Sequence, residues 1–201
     1  FLPAEYQGTY INHSNLDPRR MVPYLRNGKL DPATQRRQLE LMQRLNRDHR
    51  EQRGPDSLLD ARIKAMETAF RMQFAATDAF DLNRESKTVR DSYGTGHFAH
   101  GCLLARRLAE RGVRIVQVYY GNGQPWDTHQ NHNQSVRKLC NAIDQPIAAL
   151  LTDLKQQGML DETLVLWSGE FGRTPTSENG NGRDHNHYGF TVWMAGGGIR
   201  G

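Results

Sequence analysis

The sequence is short of several things, and each shortage narrows what the chain can be. Only 2 cysteines occur in 201 residues, Cys102 and Cys140. They stand far apart, each in a helical pattern, with no CxxC pair, so neither a thiolate metal site nor a disulfide framework is written here. Both read as small buried apolar residues. Hydrophobic residues make up 37% of the chain, a low share, and no apolar run approaches the ~20 residues that a membrane-spanning helix needs. No dense basic run with interleaved aromatics occurs, which argues against nucleic acid as a partner. The net charge of +4, from 26 Lys and Arg against 22 Asp and Glu, points weakly to an anionic ligand. Internal repeats and low-complexity tracts are absent, and so is a leader peptide. The chain opens on Phe1 in place of Met and stops at Gly201 after a glycine-rich turn, so the expectation is a portion of a longer protein, with an export signal or part of a site beyond its ends.

What is present divides into three stretches. Residues 1–30 hold Pro3, Pro18 and Pro23 and no sustained period, which reads as an extended loop. Residues 31–81 read as a helical hairpin. Asp31-Pro32 is a good helix start, followed by a narrow stripe of Leu39, Met42 and Leu45 on a charged helix to about Arg53. Gly54-Pro55 breaks it, Asp56 or Ser57 caps a second helix, and Leu59, Ile63, Met66, Phe70 and Phe74 recur at threes and fours. Residues 81–96 look polar and loop-like.

Residues 97–201 read as an α/β unit. A helix over 97–111 turns Cys102, Leu103, Leu104 and Leu108 inward and stops at Gly112. VRIVQVYY, residues 113–120, has the strongest strand composition in the chain. A helix over 135–157 carries Leu139, Ile143, Ile147, Leu150, Leu151 and Leu154. Short apolar runs at 163–167 and 190–195 are two further strands expected to be buried. This order argues for an α/β sheet, with strand 113–120 and strand 163–167 parallel around a right-handed crossover. Parallel pairing sends both polar loops, 121–133 and 169–188, to one sheet edge, where ligands bind in such folds.

Those loops hold the chain's clustered chemistry. Asp127 and His129 are two apart and can face one ion, Glu170 follows a strand end, and Asp184 and His185 are adjacent. Mixed carboxylate and imidazole donors suit Zn, Mn or Fe, or Ca and Mg with more oxygen. Arg173 has the forked geometry that grips two oxygens of a tetrahedral anion. The plain alternative is that Asp and His cap turns and sit in water, with Glu170 and Arg173 a salt bridge, and spacing alone leaves both readings open. His132 and His187 read as solvent-facing or supporting groups, and His13, His49, His97 and His100 as structural or exposed.

FLPAEYQGT (residues 1–9), CLLARRLAERGVRIVQVYY (102–120), WDTH (126–129), LDETLVLWSGEFGRTP (160–175) and NGRDHNHYGFTVWMAGGGIRG (181–201) together resemble the domain of unknown function 1501 family. That family is sulfatase-like and is placed in the alkaline phosphatase-like superfamily. The resemblance implies a doubly wound, mostly parallel α/β sheet with a helical hairpin insertion near the N-terminus. It also implies a divalent-metal site, of Zn, Mn or Ca, that cleaves or transfers sulfate or phosphate esters, and export to the periplasm or envelope. By similarity of position Asp127, His129, Glu170, Asp184 and His185 stand as metal ligands and Arg173 as the anion-orienting catalytic group. Two departures stand out. Phe171 follows Glu170 where the superfamily places His, and the nucleophile segment and the CxPxR sulfatase motif are both missing, so the nucleophile is expected outside this chain. The alternative function is a non-catalytic exported protein that binds a sulfated or phosphorylated glycan, or a partner. A third is a hairpin that serves as an assembly surface.

Overall fold

The computed structural model describes residues 8–13, 17–22, 28–54, 56–121, 123–177 and 180–200. Much of the extended loop expected over residues 1–30 lies outside them, as does the side chain of Phe74. The chain falls into two compact units, Phe1–Asp81 and Leu82–Gly201. Among the described residues no helix is long and apolar enough to cross a membrane.

In the first unit a short helix α1 (Pro18–Met21) precedes two long ones, α2 (Pro32–Arg53) and α3 (Ser57–Phe80). The starts of the long helices follow from single residues. Asp31 takes the Ala33 and Thr34 amides at 3.0 Å, and Asp56 takes those of Leu58 and Leu59 at 3.0 and 3.1 Å, caps worth about 1 kcal/mol each. Gln43 Nε2 donates to Glu67 Oε1 at 2.6 Å, and Arg50 pairs with Asp60. As the first member of each pair advances the second retreats, so α2 and α3 run antiparallel, as the sequence pattern requires. The stripe on α2 is less buried than its spacing suggests. Met42 is 50% and Leu45 54% exposed, and no residue of α2 is buried. Burial in this unit is concentrated at Met21, Ala61, Ala79 and Phe80.

The second unit is built on three helices, α4 (Lys87–Tyr93), α5 (His97–Glu110) and α6 (His132–Gln156). Helices α5 and α6 pack together, and Cys102, Leu103, Leu104 and Leu108 of α5 and Leu139, Ile143 and Leu154 of α6 are all buried, each large aliphatic contributing about 1.5–3 kcal/mol. Cys102 is packed in this core, where burial pushes its thiol up to about 12. Cys140, expected to be buried as well, is exposed instead, and both thiols are free. Helix α4 replaces the loop expected over 81–96. Ser86 caps it through the Val89 amide at 3.2 Å, and Tyr93 is its one fully buried large residue. Seven residues with a single strong apolar anchor offer no period to read.

A buried polar network joins these helices. Arg106 Nε lies 2.9 Å from Asp153 Oδ2, Arg106 Nη2 2.8 Å from Glu85 Oε2 and Arg106 Nη1 2.9 Å from Glu110 Oε2. Arg107 also pairs with Glu85, and the Tyr93 hydroxyl donates to Asp153 Oδ2 at 2.9 Å. Both arginines are 3% exposed; such charges are tolerable inside only because every one of them is met by an opposite charge.

Among the described residues the strands are fewer and shorter than the sequence suggests. β1 (Val165–Ser168) pairs with β4 (Val192–Ala195), and β2 (Gly172–Arg173) with β3 (His185–Asn186). Both pairs are antiparallel, with Trp167 opposite Trp193 in the first and Arg173 opposite His185 in the second. β1 and β4 are half exposed, with Leu166 58% and Met194 48% open to solvent on the same face. Residues 113–120 form no ladder among the described residues. From Ile115 onward their exposure still alternates, from Ile115 at 87% and Tyr119 at 67% to the half-buried Val116, Val118 and Tyr120. Tyr120 is held edge-on by Phe98 and Trp126, at ring separations of 5.4 and 5.8 Å. Strand propensity describes a residue's fit to a pleated, half-buried surface, and among the described residues no strand lies beside that surface.

Candidate metal centre

Two loops meet at the second unit's polar end. The first, residues 121–131, leads into α6; the second, residues 169–191, carries the β2–β3 ribbon. The ribbon's register sets Arg173 directly across from His185, and residues opposed in an antiparallel pair project from the same face. Two hydrogen bonds extend it: Thr174 N to Asp184 O and Asp184 N to Thr174 Oγ1, each 2.9 Å. Gly172 allows the ribbon to close, because a Cβ there would be driven into the Gly189 carbonyl.

Asp127 is the hub of the site. Its Oδ1 lies 2.9 Å from His185 Nε2 and 3.0 Å from His129 Nε2, and it also takes Arg173 Nη1. The His185 hydrogen bond, followed by that of Arg173, holds the Asp127 carboxyl below its ordinary value, so it is ionised at neutral pH. His129 reaches a second carboxylate with its other nitrogen, Nδ1 to Asp184 Oδ1 at 3.5 Å. Phe171 backs the cluster: its ring centroid is 4.7 Å from that of His185, and the Arg173 guanidinium carbon sits 5.5 Å from it on the ring face.

Asp127, His129 and His185 each offer one donor atom, and these atoms lie within 4.8 Å of one another. Ligand bonds of about 2.0–2.2 Å in a tetrahedron separate donors by roughly 3.4 Å. The contacts of 2.9 and 3.0 Å, together with the 4.8 Å limit, bracket that value. Two imidazoles and a carboxylate are the donor set of a three-ligand site with open positions, so these residues fit a divalent cation. The main internal competitor is Arg173, a positive group already on the same oxygen.

Of the residues singled out by sequence, the structure brings Asp127, His129, His185 and Arg173 into one cluster. Asp184 sits behind His129, where a carboxylate orients a ligand imidazole. The Glu170 side chain is 66% exposed and lies near Arg173, Oε1 to Nη2 at 3.7 Å, which is the salt-bridge alternative; among the described residues it is not one of the three donors that converge. His187 stacks on Tyr188 at 3.9 Å.

Other contributors escaped sequence reasoning. Thr128, 6% exposed, has its Oγ1 2.6 Å from His132 Nδ1. Burial, with the charges of Arg183 and Arg173, depresses the His132 pKa, which favours the neutral ring. Thr128 and His132 are four apart, but a loop joins them to the helix start, and no helical period marks the pair. Asn181 and Gly182 had only the NGRDH motif as a signal.

No curated protein and no solved structure matches this chain. A family model described as a protein of unknown function, DUF1501, matches residues 1–201, and the chain therefore belongs to the DUF1501 family.

Proposed function

We propose that this chain is the metal-binding portion of a hydrolase or transferase of sulfate or phosphate esters. The observation that carries the reading is the convergence of Asp127, His129 and His185 from two loops onto one point. These three residues would hold the cation, with Zn, Mn or Ca the candidates, and two imidazoles favouring Zn or Mn over Ca. Bound there, a divalent cation supplies Lewis-acid polarisation of an ester oxygen.

The protein's own residues do the rest. Asp184 keeps the His129 ring oriented. Arg173, half-buried and resting on Phe171, presents a fork suited to two oxygens of a tetrahedral anion. Thr128 is only 6% exposed, so its hydroxyl is not presented to a substrate. An anionic small molecule or glycan ester is the substrate class. A doubly wound sheet and an exported location belong to the same reading and rest on the resemblance of GEFGRTP and NGRDH.

The deciding measurement is metal content of the purified full protein together with turnover of p-nitrophenyl sulfate and p-nitrophenyl phosphate. Stoichiometric divalent metal and turnover lost on Asp127→Ala with His185→Ala support the proposal. Protein that takes up no ion, or a double variant as active as the parent, sinks it. The exposure of Glu170 and the presence of Phe171 beside it favour a second reading, a non-catalytic binder of sulfated or phosphorylated glycans. Glycan binding without turnover of either ester selects that one.

A further inference from the structure

The three candidate ligands come from segments more than 50 residues apart, and something must fix the register between them. Helix α6 begins without a cap of its own: Asn131 precedes it in the left-handed region, φ 51°, and makes no side-chain cap bond. The amides at such a start need partners, and Asn181 supplies them from the other loop. Its Oδ1 accepts the Asn131 amide at 2.8 Å, its carbonyl accepts the His132 amide at 3.2 Å, and its Nδ2 donates to Asn131 Oδ1 at 3.1 Å. Two residues on, the Arg183 amide donates to the Thr128 carbonyl at 3.0 Å.

These bonds bracket His129 on one loop and run directly into Asp184 and His185 on the other. One residue of slip moves an extended chain by about 3.3–3.6 Å. That is more than the 2.9 Å separating His185 from Asp127, so a slipped register breaks the donor set.

We propose that Asn181 is the positioning residue of the metal site, its amide locking the two ligand-bearing loops in the one register that gathers Asp127, His129 and His185. The role rests on the metal reading above and goes beyond it, since Asn181 is no ligand. It needs a short side chain carrying an acceptor and a donor together. Asp keeps the acceptor, and Ala keeps neither.

The test is Zn2+ affinity by competition titration, with the visible spectrum of the Co2+-substituted full protein, for the parent, Asn181→Ala, Asn181→Asp and Ser86→Ala. The last removes the cap of α4, away from the loops, and serves as the control for general loss of stability. Asn181→Ala is expected to weaken Zn2+ 10–100-fold, the range for a group that orients ligands, and to alter the Co2+ bands. Asn181→Asp should recover most of the affinity, and Ser86→Ala should bind Zn2+ like the parent despite a lower melting temperature. Asn181→Ala affinity within twofold of the parent, or an equal loss in Ser86→Ala, overturns the positioning role alone. A parent protein that binds neither Zn2+ nor Co2+ overturns the metal reading and this role with it.

Discussion

Arg173 and His185 share a single oxygen of Asp127: Nη1 of one and Nε2 of the other both meet Oδ1, the imidazole at 2.9 Å. The pair are also cross-strand partners in the β2–β3 ribbon, so neither can shift without the other. Asp127 is therefore claimed twice, by a fixed cation on the protein and by the donor set that a metal ion would use.

That competition predicts opposite effects from one substitution. Arg173→Gln removes a positive charge from the Asp127 carboxylate, so divalent cations should bind more tightly. The same change removes the forked anion contact, and hydrogen bonds to charged groups contribute about 1.5–3 kcal/mol. Sulfate or phosphate affinity should therefore fall by roughly 10-fold or more. Calorimetric titration of metal and of sulfate into the parent and the variant reads both. Parallel weakening of the two ligands would show that Arg173 supports the site and does not compete within it.

The buried network gives a prediction about stability that is independent of function. Asp153→Ala takes the partner from Arg106 Nε, leaving that guanidinium to Glu85 and Glu110, and leaves the Tyr93 hydroxyl without its acceptor. Losing a hydrogen bond to a charged group costs about 1.5–3 kcal/mol, and the orphaned hydroxyl adds to that. Tyr93→Phe removes only one hydrogen bond, leaving Asp153 still bonded to Arg106, and should cost about 1 kcal/mol. Urea unfolding of the two variants should rank them in that order. Equal losses would mean that the ion pair adds nothing beyond the tyrosine contact.

Glu85 ties the stability of the second unit to pH. Burial raises its pKa, but the hydrogen bonds and charges of Arg106 and Arg107 outweigh burial and hold it below its ordinary value of 4.5. A depressed carboxyl stabilises the fold above the unfolded value, and that contribution is lost as pH falls through the folded one. Stability should thus be flat from neutral pH down to about 4.5 as far as this group is concerned, then fall. Glu85→Gln should lower the plateau and flatten the acid slope in melting temperature against pH. An unchanged slope would place the acid-sensitive group elsewhere.

The long helices were legible because their signals are local. Asp31-Pro32 and Asp56 act within three residues, and the α5 and α6 stripes are set by helical period alone. The sheet was less so. VRIVQVYY has strand composition, but composition cannot say whether a neighbouring strand exists, and residues 113–120 have no ladder among the described residues. The loops were expected to meet because parallel strands would deliver them to one edge. Among the described residues they meet through an antiparallel ribbon and the Asn181 contacts with the start of α6. The acid and histidine residues of the site were visible by type. Geometry alone sets Asp184 and Glu170 apart from the cluster of Asp127, His129 and His185, since a carboxylate behind an imidazole and one in solvent look alike in sequence. The Arg106, Asp153 and Glu85 network was invisible, because nothing local distinguishes a buried arginine from an exposed one on a charged helix.

The tightest point between the loops is Gly182, and it yields the sharpest structural prediction. A Cβ at this position would be driven into the carbonyl oxygen of His129, with the Gln130 amide nitrogen behind it at 2.8 Å. Both neighbours are backbone, so no side chain can swing away to make room. Gly182→Ala must push the second loop off the first, and the bonds from Asn181 and Arg183 on either side go with it. The helical core lies elsewhere in the unit and its packing involves none of these atoms. Far-UV circular dichroism should therefore stay at the parent level while Zn2+ binding falls below detection. Parent-like Zn2+ affinity in Gly182→Ala would show that the loops can separate without losing the site, so that His129 and His185 need not be held by this contact.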